Sequence, residues 1–283
     1  MQVGANSMIW TLPLTDADLG LVRHVRELGF DVFEVVIGRE PPQFNVQRMR
    51  EALDAQGLGR TLCGGLGADM DITSPDPAVR ARGLQHIHTA LDLAKQLQAP
   101  VFLGALASCI GRKGAMQGAA REEQFELSAK ALREVVPHAE DVGVRLAVEV
   151  LNRFENNFLN TVEEGIRLVD MVGSPSVGLL LDTFHQNIEE ASIPAAIRAA
   201  GHRIYAFHSC ENNRAAPGSG LVDWVGVRDA LRDAKYAGPL VIESFNPDNA
   251  IVASRFNIYR RFAPTQDDLA RDGLRFLKKL FAE

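Results

Sequence analysis

Cysteine is scarce in this chain, and its few residues are widely spaced. The three cysteines are Cys63, Cys109 and Cys210, and no two of them form a CxxC pair. This spacing argues against a disulfide framework and against a thiolate zinc site. We therefore expect reduced, mostly buried thiols.

The chain also lacks long apolar runs and an excess of positive charge. No apolar stretch is long enough to span a bilayer, and no basic segment followed by an apolar run marks a signal peptide at the N-terminus. The formal net charge is −6, which provides no general attraction to nucleic acid or to an anionic membrane. We expect a cytoplasmic protein with a small-molecule partner and no nucleic-acid or membrane partner.

The composition is sufficient for one sizeable core. Hydrophobic residues make up 46% of the 283 residues, as in ordinary globular proteins. No low-complexity segment or linker-like change in composition divides the chain. We therefore predict that residues 1–283 form a single domain, close to the length of about 250 residues typical of an α/β barrel.

Short apolar runs alternate with segments of helical period, a pattern typical of βαβ units and a parallel sheet. Eight predicted strands cover Val3–Ile9, Asp31–Val36, Arg60–Cys63, Pro100–Leu103, Val144–Val150, Ser176–Leu181, Ile204–His208 and Leu240–Glu243. The predicted helices cover Asp18–Leu28, Val46–Ala55, Val79–Leu97, Glu122–Asp141, Val162–Met171, Ile188–Ala199, Trp224–Ala234 and Gln266–Phe281. This order predicts the α/β class and a (β/α)8 TIM barrel. The alternative is an open doubly wound sheet, whose nucleotide-binding version is disfavoured because no GxGxxG follows the first strand.

Four successive predicted strands end in residues that commonly bind metal ions. They are Glu149, Asp182, His208 and Glu243. The C-terminal ends of barrel strands converge on one mouth, so these side chains should surround a single point. Buried charges need partners, and a shared metal ion is the simplest one. Three carboxylates and one imidazole suit Mn²⁺, Co²⁺ or Mg²⁺ better than Zn²⁺; we favour one Mn²⁺.

Several longer strings surround these positions. They are EVLNRFENNFLNT at Glu149–Thr161, LDTFHQNIEE at Leu181–Glu190, FHSCENNR at Phe207–Arg214, PGSG at Pro217–Gly220 and VIESF at Val241–Phe245. Together they resemble the ketose 3-epimerases, the group that contains D-tagatose, D-allulose (psicose) and L-ribulose 3-epimerases, within the xylose-isomerase-like barrels. The resemblance covers nearly the whole chain.

The resemblance implies a role for each matching residue. Glu149, Asp182, His208 and Glu243 would bind the metal, and Glu149 and Glu243 would also form the catalytic acid/base pair. Glu155, His185 and Arg214 would hold the sugar. The resemblance further implies a carbohydrate isomerase that inverts C3 of a free ketose through a cis-enediolate, and a homodimer or homotetramer.

Other residues near the predicted mouth leave the substrate open. Trp10 follows the first predicted strand and is assigned to an apolar wall of the sugar pocket, although core packing explains it equally well. Glu34 lies in the second predicted strand and receives no chemical role. Asn6, Ser7 and Met8 stand where relatives often have aromatic residues, which changes the wall that meets the far end of the sugar.

Other functions remain open on the same scaffold. A keto-sugar or inosose isomerase, a dehydratase or a β-eliminating lyase would use the same enolate chemistry. An endonuclease-IV-type phosphoesterase would need more histidine ligands, and a non-catalytic sugar-binding protein would not need the carboxylate pair. A phosphorylated sugar is a further alternative, because Arg255, Arg260 and Arg261 fall among the late loops where barrels often bind phosphate.

Overall fold

The architecture is a closed parallel barrel with its helices outside. The computed structural model describes residues 1–282, and its eight strands follow one another around the barrel in chain order. The strands are β1 (Val3–Asn6), β2 (Val32–Val36), β3 (Gly59–Gly65), β4 (Val101–Ala105), β5 (Arg145–Glu149), β6 (Val177–Asp182), β7 (Ile204–Ser209) and β8 (Leu240–Ile242).

Ten α-helices accompany the eight strands among the described residues. They are α1 (Gly20–Leu28), α2 (Val46–Ala55), α3 (Pro77–Leu97), α4 (Gly118–Val142), α5 (Val162–Val172), α6 (Thr183–Glu189), α7 (Ile193–Ala200), α8 (Trp224–Asp233), α9 (Ala250–Phe256) and α10 (Gln266–Ala282). None of these helices combines the length and the apolar character that a membrane span requires.

Closure of the sheet confirms the predicted (β/α)8 barrel and excludes the open sheet. Gly4 of β1 pairs with Val32 of β2 on one side and with Val241 of β8 on the other. The strands also approach closely between β3 and β4. A Cβ atom on Gly104, whose φ is 129°, would lie 1.9 Å from the carbonyl oxygen of Gly64, so this contact requires glycine.

Two local predictions were wrong, and one helix was not predicted at all. Strand β1 ends at Asn6, because the Asn6 side chain accepts a hydrogen bond from the Met8 amide and starts a short 3₁₀ turn over Ser7–Ile9. The predicted helix Ile188–Ala199 is two helices, α6 and α7, and Ser192 caps the second. Helix α9 was not predicted; Asn249 starts it by accepting from two backbone amides.

The core confirms what the sequence indicated about the cysteines. Cys63, Cys109 and Cys210 are all free and buried. On the outside of the barrel, His88 Nδ1 of α3 lies 2.7 Å from His138 Nδ1 of α4. His88 therefore joins two outer helices and does not pack as a purely apolar residue.

Candidate active site

Four strand ends bring the predicted metal ligands together. Glu149 is the last residue of β5 and Asp182 the last of β6, whereas His208 lies one residue before the end of β7. Glu243 directly follows β8. One ligand atom from each of these four residues lies within 4.8 Å of the others, which is the clustering expected for one shared cation.

The donor set fits a divalent ion. Asp182, His208 and Glu243 are buried, and the Glu149 side chain is 11% exposed. His208 Nδ1 is buried and has no hydrogen-bond partner among the described residues, although it lies 3.5 Å from Glu243 Oε2. An unpaired ring nitrogen facing three carboxylates is a suitable ligand for Mn²⁺, Co²⁺ or Mg²⁺.

Arg214 lies directly against the metal-ligand cluster. Its Nη1 donates to Asp182 Oδ2 at 2.8 Å and to Glu243 Oε2 at 2.7 Å. The guanidinium carbon lies 4.0 Å from the centre of the Phe184 ring, so the planar group is stacked as well as paired. Arg214 also has a φ of 67°, a strained conformation for a non-glycine residue of the kind found at functional sites.

His185 and Glu155 lie on the same side of the cluster as Arg214. His185 Nε2 is 3.4 Å from Glu149 Oε1, and its Nδ1 is 2.7 Å from the side-chain amide nitrogen of Asn152. Glu155 Oε1 is 3.9 Å from Arg214 Nη2 and 3.9 Å from His185 Nδ1. The three predicted sugar-holding residues therefore surround one another beside the metal ligands.

These groups open into one cavity at the C-terminal end of the barrel. It has a volume of about 690 Å³ and is lined by Glu149, Glu155, His185, Arg214 and Glu243. This volume lies within the range of about 300–1,000 Å³ that is usual for small-molecule sites. The opposite wall comes from the ends of the early strands and from α9, including Met8, Cys63, Gly65, Arg255 and Phe256.

The two glutamates of the metal-ligand cluster have opposite protonation tendencies. Burial raises the pKa of Glu149, and the neighbouring His185 only partly offsets that effect. Burial also disfavours the charged form of Glu243, but His208 and Arg214 outweigh it and lower the pKa of Glu243 to about 2.

Trp10 contacts two outer helices, in keeping with the packing alternative. Its indole nitrogen donates to Asp267 Oδ1 on α10 at 2.8 Å, and its ring meets the His24 ring edge-on. Trp10 is not among the described residues that line the cavity. Its contacts therefore support packing between helices rather than a wall of the sugar pocket.

One buried acid next to the site received no role in the sequence. Glu34 Oε1 lies 2.8 Å from His208 Nε2, on the opposite side of the imidazole ring from the unpaired Nδ1. The sequence contained a sign that Glu34 is important, because a carboxylate between apolar residues of a barrel strand must have a buried partner. The partner was not visible in the sequence, because β2 and β7 are remote along the chain.

The fold and the sequence match known proteins over nearly their whole length. Residues 22–280 match the family described as xylose isomerase-like TIM barrel. A D-psicose 3-epimerase of Ruminiclostridium cellulolyticum is 35% identical over 261 residues, covering 89% of this chain and 86% of the relative.

Two solved structures superimpose closely on this chain. An L-ribulose 3-epimerase has a TM-score of 0.93 and 32% identity, covering 99% of this chain and 94% of that one. A D-allulose 3-epimerase from Methylomonas sp., in complex with D-allulose, has a TM-score of 0.90 and 30% identity, covering 99% and 96%. The chain thus belongs to the xylose isomerase-like TIM-barrel family and, within it, to the ketose 3-epimerases.

Proposed function

We propose that this protein inverts the configuration at C3 of a free ketohexose or ketopentose. The observation that carries the proposal is the placement of Glu149 and Glu243, which line one cavity and belong to the same cluster as Asp182 and His208. The matching relatives are named for C3 inversion of D-psicose, L-ribulose or D-allulose, which supports the same reaction here.

The C3 proton of a ketose is weakly acidic because the neighbouring C2 carbonyl accepts the developing charge. One glutamate takes this proton from one face of the sugar, leaving a cis-enediolate. The other glutamate then delivers a proton to the opposite face, which gives the inverted centre. In the reverse direction the two roles exchange, and each positioned group contributes about 10²–10⁴-fold.

Glu149, Asp182, His208 and Glu243 would hold the divalent ion that the donor set fits. When bound, such an ion stabilises the negative charge that develops on O2 and O3. Arg214 and His185 present donors beside the same cluster, so we assign them to the oxygens at C1 to C3. Glu155 lies within 3.9 Å of both and would keep them oriented.

A phosphorylated ketose is the second candidate, because one of the late-loop arginines singled out in the sequence reaches the cavity. Arg255 lines it, and the guanidinium carbon of Arg255 lies 5.5 Å from the centre of the Phe256 ring. Arg260 instead lies 5.0 Å from the Phe262 ring, and Arg261 pairs with Asp248. Of the three arginines singled out in the sequence, only Arg255 lines the cavity.

Three finer assignments belong to the same proposal. We propose Mn²⁺ as the resident ion, because the cluster offers oxygen ligands with a single imidazole. We also propose a cytoplasmic location, as the sequence led us to expect, and a homodimer or homotetramer, from the likeness to the ketose 3-epimerases. Metal analysis of the purified protein tests the resident ion. Light scattering coupled to size-exclusion chromatography tests the oligomeric state.

The deciding experiment incubates Mn²⁺-reconstituted protein in D₂O with fructose, allulose, tagatose, sorbose, ribulose and xylulose, and follows products by NMR. We expect the C3 epimer with deuterium at C3. The same panel of 6-phosphates and 5-phosphates tests the second candidate. A product whose carbonyl has moved along the chain would assign an isomerase, and a product that has lost water would assign a dehydratase. The absence of deuterium exchange with every sugar, in protein that holds metal, would contradict the proposal.

A further inference from the structure

Glu34 is a fully buried carboxylate that the proposed proton transfers do not use. It lies in β2, is 0% exposed, and does not belong to the group of four metal ligands. An ionised carboxylate in such a place is costly unless hydrogen bonds compensate it. The hydrogen-bond partners of Glu34 therefore indicate its role in the barrel.

Neighbouring strands fix the Glu34 carboxylate from both sides. In the register of the sheet, Asn6 of β1 lies opposite Glu34, and Thr61 of β3 lies opposite it on the other side. The Asn6 side-chain amide donates to Oε1 at 2.9 Å, and the Thr61 hydroxyl donates to Oε2 at 2.8 Å. Asn6 is itself oriented, because its Oδ1 accepts from the Met8 amide at 2.8 Å.

The third partner of Glu34 is the imidazole of His208. His208 Nε2 lies 2.8 Å from Glu34 Oε1, and a carboxylate oxygen at this distance requires a proton on Nε2. In the neutral ring the lone pair is then on Nδ1, the nitrogen that has no hydrogen-bond partner and faces Glu243. The other tautomer would place two acceptors against each other at this distance.

We propose that Glu34 is a positioning residue for the metal site: it holds the Nε2 proton of His208 and so directs the Nδ1 lone pair at the cluster of Glu149, Asp182 and Glu243. The inference rests on the proposed metal dependence and deepens it. Partners of this kind fix the tautomer and the orientation of a metal-binding histidine and raise its basicity. Glu34 acts through His208 and does not itself touch the substrate.

The test measures Mn²⁺ binding to metal-free protein by isothermal titration calorimetry, without substrate. Glu34→Gln keeps the size of the side chain but removes its charge. We expect a Kd for Mn²⁺ about 10–100-fold higher than in the unchanged protein. A folded Glu34→Gln protein with an unchanged Kd would overturn the inference.

A matched variant separates positioning from general stability. Asp71 is another buried carboxylate; it accepts from the Thr73 hydroxyl at 2.7 Å and pairs with Arg112, and it is not among the described residues that line the cavity. Asp71→Asn should lower the melting temperature and leave the Kd for Mn²⁺ unchanged. Equal losses of Mn²⁺ affinity in both variants would assign Glu34 a merely structural role.

A milder variant keeps the inference testable if Glu34→Gln does not fold. Thr61→Val removes the donor to Glu34 Oε2 with little change in volume and leaves the contact to His208 in place. We then expect a smaller but measurable rise in the Kd for Mn²⁺, and an unchanged value refutes the positioning role. Because no sugar is present, this result is independent of whether the protein epimerises any ketose.

Discussion

Removing one catalytic carboxylate at a time should uncouple proton exchange from inversion. In Glu149→Gln or Glu243→Gln an amide oxygen remains at the ligand position, but the side chain no longer accepts or delivers a proton. With one carboxylate left, only one face of the sugar can lose its C3 proton. The same carboxylate, after exchange with D₂O, returns a deuteron to that face, so configuration is retained.

The size of the effect follows from the chemistry. A positioned acid or base contributes about 10²–10⁴-fold, which corresponds to roughly 3–5 kcal/mol in the barrier at about 1.36 kcal/mol per tenfold. We expect the loss of epimerisation in either single variant to lie within that range.

The assay follows deuterium at C3 of each pure epimer by NMR, in variants shown by calorimetry to retain metal. Glu149→Gln should exchange the C3 proton of one epimer for deuterium without inverting that epimer. Glu243→Gln should exchange the C3 proton of the other epimer only. The double variant should do neither. Inversion by the double variant, or exchange of both epimers by each single variant, would refute the two-carboxylate mechanism.

Three further perturbations test other parts of the structure. Arg214→Lys removes the guanidinium whose Nη1 donates to both Asp182 and Glu243 and which lies over the Phe184 ring, so kcat/KM should fall about 10–100-fold, as for loss of about 1.5–3 kcal/mol in buried charged hydrogen bonds; unchanged kinetics would contradict the role of the guanidinium. Asp267→Asn weakens the bond from the Trp10 indole and should lower the free energy of unfolding near neutral pH by about 1 kcal/mol, measured by chemical denaturation. Although burial raises the pKa of Asp267, bonds from His24 and Trp10 lower it overall. The ionised form therefore stabilises the fold above the unfolded pKa of about 3.9, and the difference between the proteins should vanish as pH falls through the folded pKa; a difference that grows in acid would contradict this. Gly104→Ala should prevent barrel closure, because its Cβ meets a carbonyl oxygen at 1.9 Å, whereas Gly143→Ala, with φ 70° and nothing within 4 Å, should fold with a loss of about 1 kcal/mol; equal melting temperatures would show that the contact at Gly104 is not decisive.

Local patterns predicted the secondary structure well where the chain carries its own signals. Thr161 and Glu164 form the capping box that begins α5, and Gly29 ends α1 with a φ of 100°. Prediction failed where a side chain redirected the backbone. Asn6 ends β1 early by capping the following turn, and Asp182 starts α6 directly from its strand by accepting from the Phe184 amide.

The candidate site was predictable in its ligands but not in its supporting contacts. Glu149, Asp182, His208 and Glu243 follow apolar runs, and parallel barrel strands all end at one mouth. The sequence left Trp10 between a wall of that mouth and core packing, and the structure shows its indole bonded to Asp267 on α10. Its direction depends on the turn after β1 and on the packing of the last helix, neither of which a strand pattern specifies.

The sequence by itself determined the order of the strands and the four residues that cluster at the barrel mouth, because period and strand ends are local features, whereas closure of the sheet was decided by the tertiary structure. Only the tertiary structure decided which buried groups meet across the barrel. The contact of Glu34 with His208 and the pairing of Arg214 with both Asp182 and Glu243 join residues from separate strands and loops. Their directions depend on register and on side-chain packing, which the chain specifies only when the barrel has closed.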